Sequence, residues 1–233
     1  MRKYLVKYSI EFLVIVMGIS VSFYLDKIRT ANELKTLSVD LKKNLLAEIT
    51  EIEEYMMERE RAFKTDQFVL QSLQNSEVSL DSLLRISNKP SSYNVALFNY
   101  RGFKPPVAFY NSLVNDGKIR YLESSLIKEE LDQMHNVHFY YINENIKDEA
   151  VAQRKMIDYF QFNYPNLLIE SGEPNSNPNY VQELYSKIGS DIILRALLFQ
   201  KSLAIEQKVN GFNRYKESLE NLKNSLLSDL DSQ

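Results

Sequence analysis

Between residues 27 and 88 the chain contains neither glycine nor proline. Turn-rich β architectures need those residues at short intervals, so a stretch this long points to helix. The apolar positions agree. From Leu34 they fall at Leu37, Leu41, Leu45, Ile49, Ile52 and Met56. Steps of three or four residues trace one face of an α-helix. The spacing predicts one helix reaching to about residue 75.

Just before it, Phe12 to Leu25 (FLVIVMGISVSFYL) carries no charge. As a helix this run measures about 21 Å, short of the ~30 Å hydrocarbon core of a bilayer. Extended back to Tyr4 it reaches about 33 Å. The extension contains Lys7 and Glu11, which share a helix face and can pair. Lys7 can also reach the headgroups. Tyr4, Tyr8 and Tyr24 stand near the two ends, as interfacial aromatics do. The expectation is a membrane anchor over residues 1–30, formed by an N-terminal transmembrane helix that runs on into the long helix. A cleaved signal peptide is one alternative; Ser20 and Ser22 have the spacing, but Glu11 interrupts the segment. A buried helix of a soluble protein is the other.

Gly18 and Ser22 lie one turn apart, and small residues let membrane helices approach closely. Glu11 is an intramembrane carboxylate, simplest as the partner of Lys7 near the headgroups. Glu11, Gly18 and Ser22 are therefore the candidates for helix–helix contact in the bilayer. Basic residues flank the run on both sides in nearly equal number, so orientation stays open.

Charge divides along the chain. Residues 1–30 net +3, and the remainder nets −6. An acidic body excludes phosphate-backbone binding, which needs a basic face. The absence of cysteine excludes disulfides, thiolate nucleophiles and cysteine-held metal.

Residues 31–233 read as an elongated antiparallel helical bundle with short connecting helices, an all-α fold. A short helix is expected at 78–86 and an irregular segment at 90–106. Pro105 and Pro106 then open a short helix that Asp116-Gly117 closes. Ser124 or Ser125 caps a helix running to about Asn163, with Leu131, Met134, Val137, Tyr141, Ala152, Met156, Tyr159 and Phe160 on its buried face. The turn-rich loop 171–179 follows. After a helical stretch from Tyr180, Ser190 or Asp191 caps a final long helix. Its stripe is Leu194, Leu198, Ile205, Val209, Phe212, Leu219, Leu222 and Leu226. Gly211 within it marks a kink or a close helix contact.

Chemistry is sparse. The two histidines, His135 and His138, form D-x-x-H-x-x-H with Asp132. Bundle metal sites take a carboxylate-x-x-His motif from each of two helices, and this chain has one. The three residues are weak metal candidates, and packed histidines are the preferred reading. No phosphate-cradling glycine pattern or nucleophile elbow occurs, and no cofactor is expected. The glutamates at 48, 51, 53, 54, 58 and 60 read as a solvated face.

The order Tyr4-Leu5, Glu11, Val14 to Ile19, then Asp26 is similar to the anchor of a family of uncharacterised bacterial single-pass membrane proteins. A second patch resembles that family too: Phe109-Tyr110-Asn111-Ser112-Leu113-Val114-Asn115-Asp116-Gly117-Lys118-Ile119, leading to Leu126 to Leu131. The family often carries a Trp beyond the anchor, where this chain has Ile28. The resemblance implies a membrane anchor with a helical domain, in a bacterial inner membrane, and implies no activity. The expected function is non-catalytic: protein–protein interaction, scaffolding or sensing, at a lipid bilayer, with a protein partner or a second copy of the chain. The alternative is an enzyme or small-ligand receptor with its pocket between residues 93–117 and the helix of His135 and His138.

Overall fold

The computed structural model describes residues 2–74, 91–172 and 179–232, with the backbone alone for 2–11 and 91–94. Every regular element among them is helical. In order these are α1 (Arg2–Gln74), α2 (Ser91–Phe98), α3 (Ala108–Asn115), a 3₁₀ turn (Lys118–Tyr121), α4 (Ser125–Asp132), a π turn (Gln133–His138), α5 (Phe139–Asn163), α6 (Pro165–Gly172), α7 (Tyr180–Ser190) and α8 (Ile192–Asp231). The expected helix at 78–86 and most of the 171–179 loop lie outside the described residues.

Three long helices make the body. With 73 residues, α1 is about 110 Å long. Its buried stripe starts at Ser38 and Leu41 and continues through Leu45, Ile49, Ile52 and Phe63. Helix α8 lies antiparallel to it, as the cross-pairs show: Lys42 with Asp229, Glu53 with Lys223, Glu60 with Lys216. The stripe read from sequence on α8, Leu194 to Leu226, is buried throughout. Helix α5 is antiparallel to α8 in turn, with Glu149 level with Lys208 and Tyr159 level with Asp191. At Gly211 a Cβ would stand 2.7 Å from Cδ1 of Tyr141, so this glycine marks a close approach of α8 to α5.

Local capping follows the sequence at several ends. Gly117 takes the left-handed conformation (φ 64°) after α3, Ser124 accepts the Ile127 amide at the start of α4, and Asp191 accepts the Ile193 and Leu194 amides at the start of α8. Such caps satisfy amides that have no partner inside the helix.

Three expectations change. Residues 91–98 form helix α2 inside the segment expected to be irregular. Its terminal carbonyls are satisfied from far away: Lys201 donates to the carbonyls of Leu97 and Asn99, and Gln153 to that of Phe98. The helix from Ser125 is interrupted by the π turn, whose i→i+5 bonding inserts a residue and shifts the phase of the stripe. Val137, expected on the buried face, is consequently exposed, while Met134 stays buried. Glu48, expected on a solvated face, is buried. Its carboxylate accepts the amides of Phe109 and Tyr110 and so caps α3 from another helix.

Among the described residues no helix is long and apolar enough to cross a membrane. The charge-free run covers only about 21 Å, and the residues that would lengthen it include Lys7 and Glu11.

Candidate functional site

The first candidate region is the free part of α1. From Phe12 to Thr36 every residue is exposed. Phe12, Val14, Ile15, Phe23 and Tyr24 are each at least 60% exposed, and they point in different directions around the helix. A helix of a globular body buries one stripe and shows a polar face elsewhere. This one shows apolar side chains on every side and packs against nothing among the described residues. Gly18 has no atom within 4 Å of where its Cβ would be, and Ser22 is exposed; neither meets another helix. The Glu11 side chain lies outside the described residues. From Asp26 to Thr36 the helix is mainly polar, with Ile28 and Leu34 exposed among the polar residues and Arg29 donating to Glu33 one turn on. This spacer measures about 16 Å and separates the apolar run from the body.

The second region surrounds His135. Its ring stacks on Tyr110 at 3.7 Å between centroids, 13° from parallel. Burial lowers its pKa to about 4, so it is neutral at neutral pH. Asp132, four residues from Asn136, accepts that side chain's amide. His138 has its pKa lowered by burial and by Arg214, with Glu217 opposing. The three residues of the sequence motif are thus spread over a π turn, and His135 is committed to Tyr110. Among the described residues no group of three or more histidines and carboxylates is placed to hold a metal ion. Phe103 of the 93–117 segment lies 6.1 Å, ring to ring, from Phe139 at the start of α5. It is buried and packs edge-on to Phe212 and Tyr215.

The third region is a layer of charge inside the body that sequence reading missed. Glu149 pairs with Lys208, and both are buried. The Lys208 ammonium also sits 4.4 Å from the centre of the Phe63 ring. Asp66 is buried and receives Arg101 through two nitrogens. Lys201 is wholly buried and spends two donors on the Leu97 and Asn99 carbonyls. Desolvation brings its pKa down to about 8, against the pull of Glu149 and Asp66. Burial pushes the Glu149 carboxyl up, against the pull of Lys208 and Lys201. Lys201 and Lys208 are seven apart on α8, which puts them on one face. That periodicity was the available signal, but polar residues at core spacing read as solvated in sequence alone. Every group here has a structural partner, so the layer ties α1, α2, α5 and α8 together and leaves no free nucleophile or base.

The fold and these regions define a class: an all-α bundle from which one helix projects with an apolar surface on all sides. Comparison of the chain with family models, curated proteins and solved structures finds no match.

Proposed function

We propose that this chain is a single-pass, membrane-anchored helical protein that acts by binding rather than catalysis, as a scaffold or sensor. The observation that carries the reading is the run from Phe12 to Leu25, exposed on every side of a projecting helix. Left in water, 14 such residues would leave an apolar surface far larger than a monomeric soluble protein tolerates. A bilayer removes that cost. The run is shorter than the hydrocarbon core, so the span takes in residues back to Tyr4. Lys7 then snorkels, and Glu11 pairs with it near the headgroups. The resemblance to anchored bacterial proteins supports the same reading and suggests the inner membrane. A binding role is supported by the body, where His135, Lys201, Glu149 and Asp66 are all engaged by neighbours.

Carbonate extraction of membranes from expressing cells tests the anchor. The full chain should remain with the lipid and need detergent for release. Changing Val16 and Ile19 together to Arg costs about 5–7 kcal/mol in a spanning segment and should move the protein into the extract. The body, which neither residue touches, should keep its helical circular dichroism. A wild-type chain that is released by carbonate without detergent overturns the anchor.

A further inference from the structure

The exposed side of α5 and α8 carries a groove of about 260 Å³. Its floor is two small, buried residues, Ala152 and Ala204, and Val151 and Leu203 stand beside them at 42% and 46% exposure. Polar residues close both ends. Asp148 on α5 and Gln207 on α8 lie at one end, with Lys155 and Gln200 at the other. The level pairing of Glu149 with Lys208 sets this register.

Apart from Asn145, which also lines the groove at the Asp148 end, the arrangement is symmetric about its centre. Asp148 and Lys155 are seven residues apart, with Val151 and Ala152 midway. Gln200 and Gln207 are seven apart, with Leu203 and Ala204 midway. Asp148 and Lys155 are both exposed, and neither has an ion-pair partner among the described residues. A second copy turned end for end about an axis crossing the groove would place its Lys155 over Asp148 and its Asp148 over Lys155. Gln200 would meet Gln207, and Leu203 would meet its own symmetry mate. An axis running along the helices instead would set both charges opposite glutamines and Leu203 opposite Val151. The charges therefore select the end-for-end arrangement.

We infer that this face pairs two copies of the chain antiparallel, through two reciprocal Asp148–Lys155 contacts around an aliphatic centre. Such a contact is isologous, the commonest form of dimer interface. Helix α5 has 25 residues, about 37 Å, and two helices side by side are roughly 20 Å across. That face offers on the order of 700 Å² per copy, close to the ~800 Å² of a standard stable interface. The residues that the pairing uses lie far from Phe12 to Leu25, and in detergent the pairing can be read whether or not the anchor reading holds.

Charge reversal tests it, read by sedimentation of the detergent-solubilised full chain. The wild type should be dimeric. Asp148→Lys or Lys155→Asp creates two like-charge contacts per dimer and should weaken association about tenfold or more. The double variant Asp148→Lys/Lys155→Asp restores opposite charges and should restore the dimer. All three change exposed residues, and circular dichroism checks that they fold. Because the chain has no cysteine, Leu203→Cys should also yield one disulfide-linked dimer on mild oxidation. A monomeric wild type, a dimer insensitive to either reversal, a double variant no tighter than the singles, or an uncrosslinked Leu203→Cys chain overturns the inference.

Discussion

At the scale of single residues, burial decides what each polar group can do. His135 is the clearest case. In the unfolded chain a histidine titrates near 6.5, and in the fold burial holds it at about 4. Between those values the unfolded chain binds more protons than the folded one, so stability rises with pH. The contribution of neutral His135 is complete above about 6.5 and is lost as pH falls towards 4, by about 2–3 kcal/mol. His135→Phe keeps a ring against Tyr110 and removes the proton. Urea unfolding of the full chain in detergent at pH 7 and pH 4.5 should show a smaller acid loss for the variant. An identical loss in both would mean that other groups set the acid response. Sequence identified His135 as notable and preferred packing to metal binding, without showing what it packs against. The stack on Tyr110 was invisible because Tyr110 reaches it through tertiary packing. The same holds for Glu48, Asp66, Glu149, Lys201 and Lys208. Each carries a charge that composition places on the surface, and each is inside because a specific partner meets it there. Breaking such a pair costs far more than the pair itself contributes.

At the scale of elements, legibility followed the range of the forces. Elements stabilised by their own periodicity were readable. Helix α1 is continuous through all its described residues to Gln74, α5 ends at Asn163, and α8 begins after its Asp191 cap. Elements stabilised from outside were not. Helix α2 depends on Lys201 and Gln153 for its last carbonyls; α3 was readable from its prolines and Asp116-Gly117, but not the Glu48 carboxylate that caps its first amides. The π turn breaks a stripe that sequence would continue, and Val137 leaves the core as a result. Gly211 was readable as a close contact or a kink, and contact with Tyr141 and Ile142 decides between them. Gly211→Ala gains about 1 kcal/mol of helix propensity. The new methyl meets the Tyr141 ring, at a cost of about 1–3 kcal/mol. That ring is held, since its hydroxyl donates to Gln207 at 2.7 Å. Gly211→Ala should therefore lower the urea midpoint in the wild type. In a Tyr141→Ala background the same change should do little or raise it. A loss of equal size in both backgrounds would move the cause away from the ring.

For the whole molecule, one unbroken helix joins the projecting segment to the body, and this constrains how copies can meet. The end-for-end pairing places the two α1 helices at opposite ends of the dimer, because each leaves its body beside its own Lys42–Asp229 contact. The polar spacer from Asp26 to Thr36 holds each body about 16 Å clear of its apolar run. Two copies in one bilayer cannot adopt that arrangement without breaking α1. Copies in two facing bilayers can. If both the anchor and the pairing hold, vesicles carrying the full chain should cluster, and their light scattering should rise with protein density. Asp148→Lys on all vesicles should abolish clustering. Mixing vesicles bearing Asp148→Lys with vesicles bearing Lys155→Asp sets two lysines against two aspartates, so both contacts in each bridging dimer are matched, and clustering between the two kinds of vesicle should return. The double variant should restore it fully. Clustering that survives Asp148→Lys would come from a surface other than the α5–α8 face. A dimer that sediments correctly in detergent yet never clusters vesicles would mean that α1 does not hold the two bodies between facing bilayers as a rigid rod; its stretch from Asp26 to Thr36 is exposed throughout.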